Sequence, residues 1–267
     1  MDGSAIHLQS LIAVNNVPPP PPVGCNFTTD TVWNMNISNC TFSHNVANSD
    51  GGVYLSTYFS TPSSAQCKLD QKVQLMDSVF YGNKAGGGAA VFVSGINGWR
   101  ILLTVYNAKF QSNSVMQPDF AIHFPYVSQS NTIHSVGTVF LVKSCESCVV
   151  IGDTEFQDND GSAIVLQDSG VIFAGDVIIA NNFNTLGSIL LQHSFIFFKP
   201  NSHLQFTNNT SLTEGGAILI QSATPICFFQ FISLHETGNI KNLNVTVTME
   251  NNTALRAGDT IYSELDF

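Results

Sequence analysis

Charged residues are scarce in this sequence of 267 residues. Only 10% are Asp, Glu, Lys or Arg, against about a quarter in an ordinary globular protein. Nine Lys and Arg stand against nineteen Asp and Glu, so the formal net charge is -10. Because so few cations cannot neutralise a phosphate backbone, the composition argues against a nucleic-acid partner.

Long hydrophobic runs are also missing, although 44% of the residues are apolar and the mean hydropathy is +0.15. Apolar stretches such as residues 195–198 and 226–229 are far shorter than the roughly 20 residues that span a bilayer as a helix. The first residues, Met-Asp-Gly-Ser, have neither the basic start nor the apolar stretch of a secretory leader. We therefore predict no membrane-spanning segment, and a chain apolar enough to bury a core.

A four-residue motif, Phe-x-x-Asn, recurs five times. Its complete copies begin at Phe42, Phe80, Phe110, Phe156 and Phe206 and end at Asn45, Asn83, Asn113, Asn159 and Asn209. Two relaxed copies begin at Ile179 and Met249 and end at Asn182 and Asn252. Neighbouring copies lie between 23 residues (156 to 179) and 46 residues (110 to 156) apart. A turn of about 20 to 30 residues built from short strands is typical of a parallel β-helix.

A second motif, small residues followed by β-branched ones, follows most of these copies. It occupies residues 51–55, 86–91, 161–165, 187–190 and 215–219, with degenerate copies at 119–122 and 258–262. Residues 73–77 and 243–247 alternate with a period of two, which indicates strands with one buried face. No stretch sustains a helical period. We predict an all-β solenoid, a parallel β-helix, of about seven or eight coils, with a β-sandwich as the alternative.

One unit should cover residues 1–267, with loop insertions at about residues 15–30, 56–72, 111–148 and 222–242. Five consecutive prolines, residues 18–22, should form a stiff polyproline segment in the first insertion. Residues 2–6 repeat residues 160–164 letter for letter. We therefore expect the chain to be a segment of a longer array.

Each repeat position has a physical role in such a coil. Phe should point inward and stack on the Phe of the next coil, about 4.8 Å away, because it has no hydroxyl that needs a partner. The Asn should lie at a bend, tolerate the left-handed backbone and bond to the next Asn. The following Gly should supply a second bend with positive φ.

The paired motifs resemble the chlamydial polymorphic membrane protein repeat, whose hallmarks are GGA(I/L/V) and FxxN. Residues 215–218, Gly-Gly-Ala-Ile, match the first hallmark literally. The resemblance implies a right-handed β-helix, an extracellular or cell-surface setting and, in some members, adhesion. Similar repeats occur in large extracellular proteins of eukaryotes such as sponges and algae. The resemblance to the chlamydial repeat does not imply any particular binding residue.

Cysteines and glycosylation sequons favour secretion. The disulfide candidates are Cys25, Cys40, Cys67, Cys145 and Cys148; Cys25 could pair with Cys67 or with Cys40, and spacing does not decide. The Cys145–Cys148 spacing favours a local disulfide over a redox pair or half a zinc site. The N-x-Ser/Thr sequons are Asn26, Asn36, Asn39, Asn208, Asn209, Asn244 and Asn251.

Catalysis needs converging side chains, and the sequence offers one acidic cluster. Its members are Asp153, Glu155, Asp158, Asp160 and Asp168. Acidic residues at turns are more often solvated corners than catalytic groups. We therefore predict no catalytic residues, metal or cofactor, and a structural or adhesive segment that associates with itself or with extracellular proteins or glycans. The alternative is a carbohydrate-binding or polysaccharide-degrading β-helix.

Overall fold

The computed structural model describes residues 6–11, 33–50, 53–58, 70–94, 100–115, 138–143, 149–221, 229–231 and 244–263. These residues form 26 strands, and none of them is in a helix. No helix long and apolar enough to cross a membrane therefore occurs in this part of the chain. The prediction of an all-β protein is confirmed.

The strands are short and follow one another closely. In chain order they are β1 (Ile6–Leu11), β2 (Trp33–Ser38), β3 (Thr41–Ser43), β4 (Val46–Asp50), β5 (Val53–Tyr58), β6 (Asp70–Met76), β7 (Val79–Tyr81), β8 (Lys84–Gly87), β9 (Val91–Ser94), β10 (Arg100–Tyr106), β11 (Lys109–Gln111), β12 (Ser114–Val115), β13 (Thr138–Lys143), β14 (Val149–Gln157), β15 (Ser162–Gln167), β16 (Gly170–Ala180), β17 (Phe183–Asn184), β18 (Ile189–Gln192), β19 (Phe195–Phe198), β20 (His203–Thr207), β21 (Thr210–Ser211), β22 (Ile218–Gln221), β23 (Phe229–Phe231), β24 (Thr246–Glu250), β25 (Thr253–Ala254) and β26 (Ile261–Ser263).

In an eight-stranded sheet the strands follow one another in the order of the repeats along the chain. Its strands lie in the order β1-β5-β9-β13-β15-β18-β22-β26, so each strand pairs with the corresponding strand of the preceding and following repeat. Every pair is parallel. Ile164, for example, lies between Phe140 and Ile189. The chain thus returns to this sheet once in every repeat.

A twelve-stranded sheet and two three-stranded sheets complete the repeats. In the repeat of β13 and β14, Asp160 forms single bridges to Ser114 and Phe183 in place of a strand of the three-stranded sheets. In the first three repeats a corner splits the path through the twelve-stranded sheet into two strands, such as β10 and β11. The longer β14 pairs with both of them, β10 along its first half and β11 along its second. The ladder between β14 and β16 shifts register between Gly152 and Thr154, where the corner persists as a bulge.

This parallel, in-order pairing is consistent with the predicted parallel β-helix. The handedness and the number of coils stay predictions. We use "coil" below for one repeat that passes through the eight-stranded, twelve-stranded and three-stranded sheets in turn.

Three predicted insertions need correction, because each range contains residues of the sheets. Strands β12 and β13 lie within residues 111–148. Strand β13 fills the place between β9 and β15 in the eight-stranded sheet, a place we assigned to residues 119–122, which lie outside the described residues. Strand β23 lies within residues 222–242 and pairs with β19, and residues 56–72 include the end of β5 and the start of β6. The fourth, residues 15–30, lies outside the described residues.

Candidate functional site

Phenylalanines of the Phe-x-x-Asn motif form a stack inside the coils. The rings of Phe42 and Phe80 are 4.7 Å apart, those of Phe80 and Phe110 are 4.8 Å apart, and those of Phe110 and Phe156 are 4.6 Å apart. Neighbouring planes differ by 6° to 12°. The ring of Phe140 from β13 meets Phe110 edge-on at 5.8 Å. The sequence did not indicate Phe140 because it replaces the β-branched residue of the second motif, in register with Val91 and Ile164.

The asparagines that close the motif form a continuous line of hydrogen bonds, which we call the Asn ladder. Its members are Asn45, Asn83, Asn113, Asn159, Asn182, Asn209 and Asn252. Each side-chain Oδ1 from Asn83 onward accepts two hydrogen bonds from the preceding member, one from its backbone N–H and one from its Nδ2. From Asn83 onward, Nδ2 also donates to the carbonyl of the Phe-position residue one coil back.

The Asn ladder contributes to stability because its side chains are buried. Asn83, Asn113 and Asn209 are fully buried. An amide in the core needs partners for its oxygen and its two hydrogens, and the stacked neighbours supply them. The ladder therefore specifies how one coil sits on the next.

The left-handed bend falls one residue earlier than we predicted. The ladder asparagines do not have positive φ; the residues just before them do. The φ angle is 64° at Gly82 and between 53° and 56° at the other six of these preceding residues, which are His44, Ser112, Asp158, Asn181, Asn208 and Asn251. They form an outward corner row, while the Asn that follows turns inward. Sequence alone did not separate the two roles because Asn suits both.

Glycines of the second motif allow the chain to pass close to the next strand. Gly215 and Gly258 both have φ of 66°. Gly216 has no positive φ, but a Cβ there would overlap the backbone carbonyl oxygens of Asp259 and Thr253. Its role is close approach of two coils, in addition to the bends that the sequence predicted.

The outer face of the eight-stranded sheet is apolar and covered as well. Phe92, Leu141, Val165, Leu190 and Leu219 occupy successive strands in register and form a cluster separate from the inner core. This explains the continuous apolar runs of β13, β15 and β18, which are typical of strands buried on both faces. The second buried face of this sheet is thus encoded in the sequence by these apolar runs.

A glutamine row borders this outer cluster. Gln167 Nε2 donates to Gln192 Oε1 at 2.6 Å, and Gln192 Nε2 donates to Gln221 Oε1 at 2.9 Å. These glutamines end consecutive strands of the eight-stranded sheet. They extend the principle of the Asn ladder to a second edge of the coil.

The predicted acidic residues lie mainly at exposed corners. Asp153, Asp158 and Asp168 have φ of 45°, 54° and 47°. The Glu155 carboxylate lies 3.3 Å from Lys109 Nζ. Asp160, beside the ladder, is exposed.

Among these acids, Asp153 has the most developed surroundings. Its Oδ1 accepts a hydrogen bond from the backbone N–H of Asp176 at 2.9 Å. A hydrogen bond from the Tyr106 hydroxyl to Asp153 raises the pKa of that phenol, with smaller contributions from burial and from the charges of Asp153 and Asp176. Across the described residues, no group of three or more His, Cys, Asp and Glu is arranged to hold a metal ion.

Only some of the predicted cysteines and sequon asparagines lie within the described residues. Cys40 has a free thiol, 3.2 Å from the carbonyl oxygen of Ser38. Cys40 is therefore not the disulfide cysteine that we considered as a partner of Cys25. Cys25, Cys67, Cys145 and Cys148 lie outside the described residues, as does the sequon at Asn26, so pairing among these cysteines stays a prediction. The sequon residues Asn36, Asn39, Asn208, Asn244 and Asn251 are exposed, whereas Asn209 is a buried member of the ladder.

Comparison with known proteins bears on one stretch of this architecture. Residues 203–221 match the family model of the Chlamydia polymorphic membrane protein repeat. One copy of this repeat is therefore identified, at residues 203–221. The matched stretch contains both motifs, from Phe206 to Asn209 and from Gly215 to Ile218, which confirms the resemblance. No curated protein matches the chain, and no solved structure matches it.

The geometry of the matched polymorphic membrane protein repeat also occurs outside it. Within the match, Asn209 accepts from Asn182 and donates to Asn252. The same bonds connect Asn113 to Asn159, far from the matched residues. The ladder thus extends the repeat geometry from Asn45 to Asn252.

Proposed function

We propose that this chain is an extracellular, cell-surface, non-catalytic β-helical segment that presents peptide segments on a rigid stack of coils and thereby serves a structural or adhesive role. The repeat match supports a surface setting, since the family it names is one of membrane proteins. Self-association or contact with extracellular proteins or glycans would be its mode of action.

The observation that carries the proposal is the variable length of chain between the strands of the eight-stranded sheet and those of the twelve-stranded sheet. Between the eight-stranded and twelve-stranded sheets the chain turns in two residues at 168–169 and again at 193–194. At the same junction, residues 12–32, 59–69 and 222–228 intervene in other coils. Stretches of variable length therefore connect the two sheets along this edge, while residues 116–137 and 232–243 intervene at other junctions. Such an edge is often the binding side of a repeat protein.

Rigidity of the stack is the second support. The most strictly repeated side chains, those of the Phe stack and the Asn ladder, are used inside the protein. Because they hold coil to coil, the edge can vary in sequence and length without loss of the scaffold. Because the repeated side chains are buried and the variable segments lie at the edge, the molecule is better suited to presenting these segments than to catalysis.

The test replaces insertions by the protein's own tight corner. Residues 57–71 would be replaced by Asp-Ser, the sequence of residues 168–169, since Ser56 aligns with Gln167 and Lys72 with Gly170 through the strand registers. The control replaces the shorter stretch 95–101 in the same way. Bead-coupled protein would be tested for binding to itself, to cell surfaces and to a glycan array, with circular dichroism as the check on folding.

We expect the folded scaffold to survive and binding to fall when the responsible insertion is removed. A rod with every such insertion replaced that still binds as well as the parent would contradict the proposal. So would release of reducing sugars or unsaturated uronates from a polysaccharide panel that is lost in Asp158→Ala or Asp160→Ala, because that outcome identifies an enzyme.

A further inference from the structure

Four sequon asparagines share an uncommon backbone position. Asn39, Asn208, Asn244 and Asn251 have φ of 53°, 55°, 38° and 53°, and all four are exposed. Each stands at a corner that adjoins the twelve-stranded sheet. A residue at such a corner projects from the coil, so its amide is accessible to an enzyme and a bulky substituent would extend into solvent.

Asn209 has the same sequence signature and the opposite environment. It is fully buried. Its Nδ2 donates to Asn252 Oδ1 at 2.9 Å and to the Ile179 carbonyl at 2.8 Å, so both amide hydrogens are used. Replacing one of them by a sugar would break a ladder bond and force a large group into a close-packed core.

At the exposed corners, glycosylation would not require the loss of a buried hydrogen bond. Asn208 Nδ2 donates one hydrogen bond, to Asn181 Oδ1 at 3.3 Å, and Asn244 Nδ2 donates one to Asn201 Oδ1 at 3.5 Å. A glycosylated amide keeps one hydrogen. The native contact and a sugar are therefore compatible at these positions.

We propose that Asn39, Asn208, Asn244 and Asn251 are N-glycosylation sites and that Asn209 is a structural residue that stays unmodified. The inference rests on the proposed extracellular function, because the sequon is used in the secretory pathway. The donor is a lipid diphosphate-linked oligosaccharide. A bond forms between Nδ2 and the anomeric carbon, the bond from that carbon to the diphosphate oxygen breaks, and the lipid diphosphate leaves with the proton lost from Nδ2.

The arrangement would give the coil two different sides. All of the sequon asparagines in the described residues lie in the twelve-stranded sheet or at its corners, and the described strands of the eight-stranded sheet contain none. Sugars at these corners would shield the twelve-stranded face. The described part of the eight-stranded sheet would remain free of them.

The experiment is site-by-site mapping of sugar occupancy. The 267-residue chain would be secreted from cultured eukaryotic cells behind a cleavable leader, and the folded fraction would be isolated. Peptide-N-glycosidase in heavy-oxygen water converts each glycosylated Asn to heavy Asp, which peptide mass spectrometry locates. We expect heavy Asp at the four corner positions and an unlabelled Asn209.

Matched variants remove the acceptor sequence without changing the corner residue. Thr210→Ala should abolish the label at Asn208 alone, and Thr253→Ala the label at Asn251 alone, because each deletes the third sequon residue. A folded, secreted chain without label at the four corners, or with label at Asn209, would overturn the proposal. Full occupancy together with no insertion-dependent binding would instead contradict the proposed function and leave the glycosylation sites intact.

Discussion

Asn113 donates two hydrogen bonds to one oxygen of Asn159, from its backbone N–H at 3.0 Å and from its Nδ2 at 3.2 Å. The two residues lie 46 positions apart in sequence. The Nδ2 of Asn159 repeats the pattern toward Asn182 and also donates to the Phe110 carbonyl. One side chain therefore connects three coils.

The first prediction concerns this connection. In Asn159→Leu, both donors of Asn113 lose their acceptor inside the core. An unsatisfied buried polar group costs about 1–3 kcal/mol, so we expect the free energy of unfolding to fall by about 3 kcal/mol or more. Urea denaturation followed by circular dichroism measures it. The control is Asp158→Asn, at the exposed residue next to Asn159, because Asn suits the same left-handed corner. It should change the free energy of unfolding by less than about 0.5 kcal/mol. Equal losses in the two variants would show that the Asn ladder contributes no more to stability than the exposed corner does.

Much of this architecture was predictable because one short motif encodes it. Phe at an inward position and Asn at a bend are needed once per coil, so their recurrence identified a stacked fold. The Asn-to-Asn bonds follow from the same recurrence, since identical residues in stacked coils lie above one another.

Other features were not predictable for identifiable reasons. The place of β13 was not predicted because Phe140 stands where the second motif has a β-branched residue, Val91 in one neighbouring strand and Ile164 in the other. The left-handed residue was assigned one position late because Asn208 and Asn209 have the same side chain and opposite roles. The partner of Asp153, Tyr106, lies 47 positions earlier, and no local pattern connects them.

The second prediction uses the corner row. Ser112 has φ of 54° and is exposed, and Ser tolerates the left-handed backbone less well than Asn. In protein produced in bacteria, Ser112→Asn should raise the free energy of unfolding by about 0.5–1 kcal/mol. Thermal unfolding measures the change. Ser43→Asn, at an exposed strand position without positive φ, should give no gain, and a gain of similar size there would refute the backbone explanation.

The third prediction separates the two uses of glycine. In Gly216→Ala the new methyl group would overlap backbone atoms of Thr253 and Asp259, which cannot move without separating the coils. We expect a loss of at least about 3 kcal/mol. Gly82→Ala meets only the side chain of His44, at 3.1 Å, and a left-handed backbone, so its cost should be about 1–2 kcal/mol. Denaturant titration of both variants compares them, and a smaller loss in Gly216→Ala would contradict the close-approach role.

The fourth prediction is a pH dependence at the twelve-stranded sheet. The hydrogen bond from Tyr106 to Asp153, helped by burial and by nearby negative charge, raises the pKa of the phenol in the folded protein. The unfolded chain should titrate near the ordinary value of about 10. The contact therefore stabilises the fold fully below that pH and is lost as the pH rises through the higher folded-state pKa.

Asp153→Asn tests this dependence, because Asn keeps the left-handed corner at φ 45° while removing the charge. In ultraviolet absorbance titrations, the phenolate transition assigned by Tyr106→Phe should occur at lower pH in the Asn variant than in the parent. The parent should also lose more stability than this variant when the pH is raised above about 10. Identical transitions in the two proteins would show that Asp153 does not hold the Tyr106 proton.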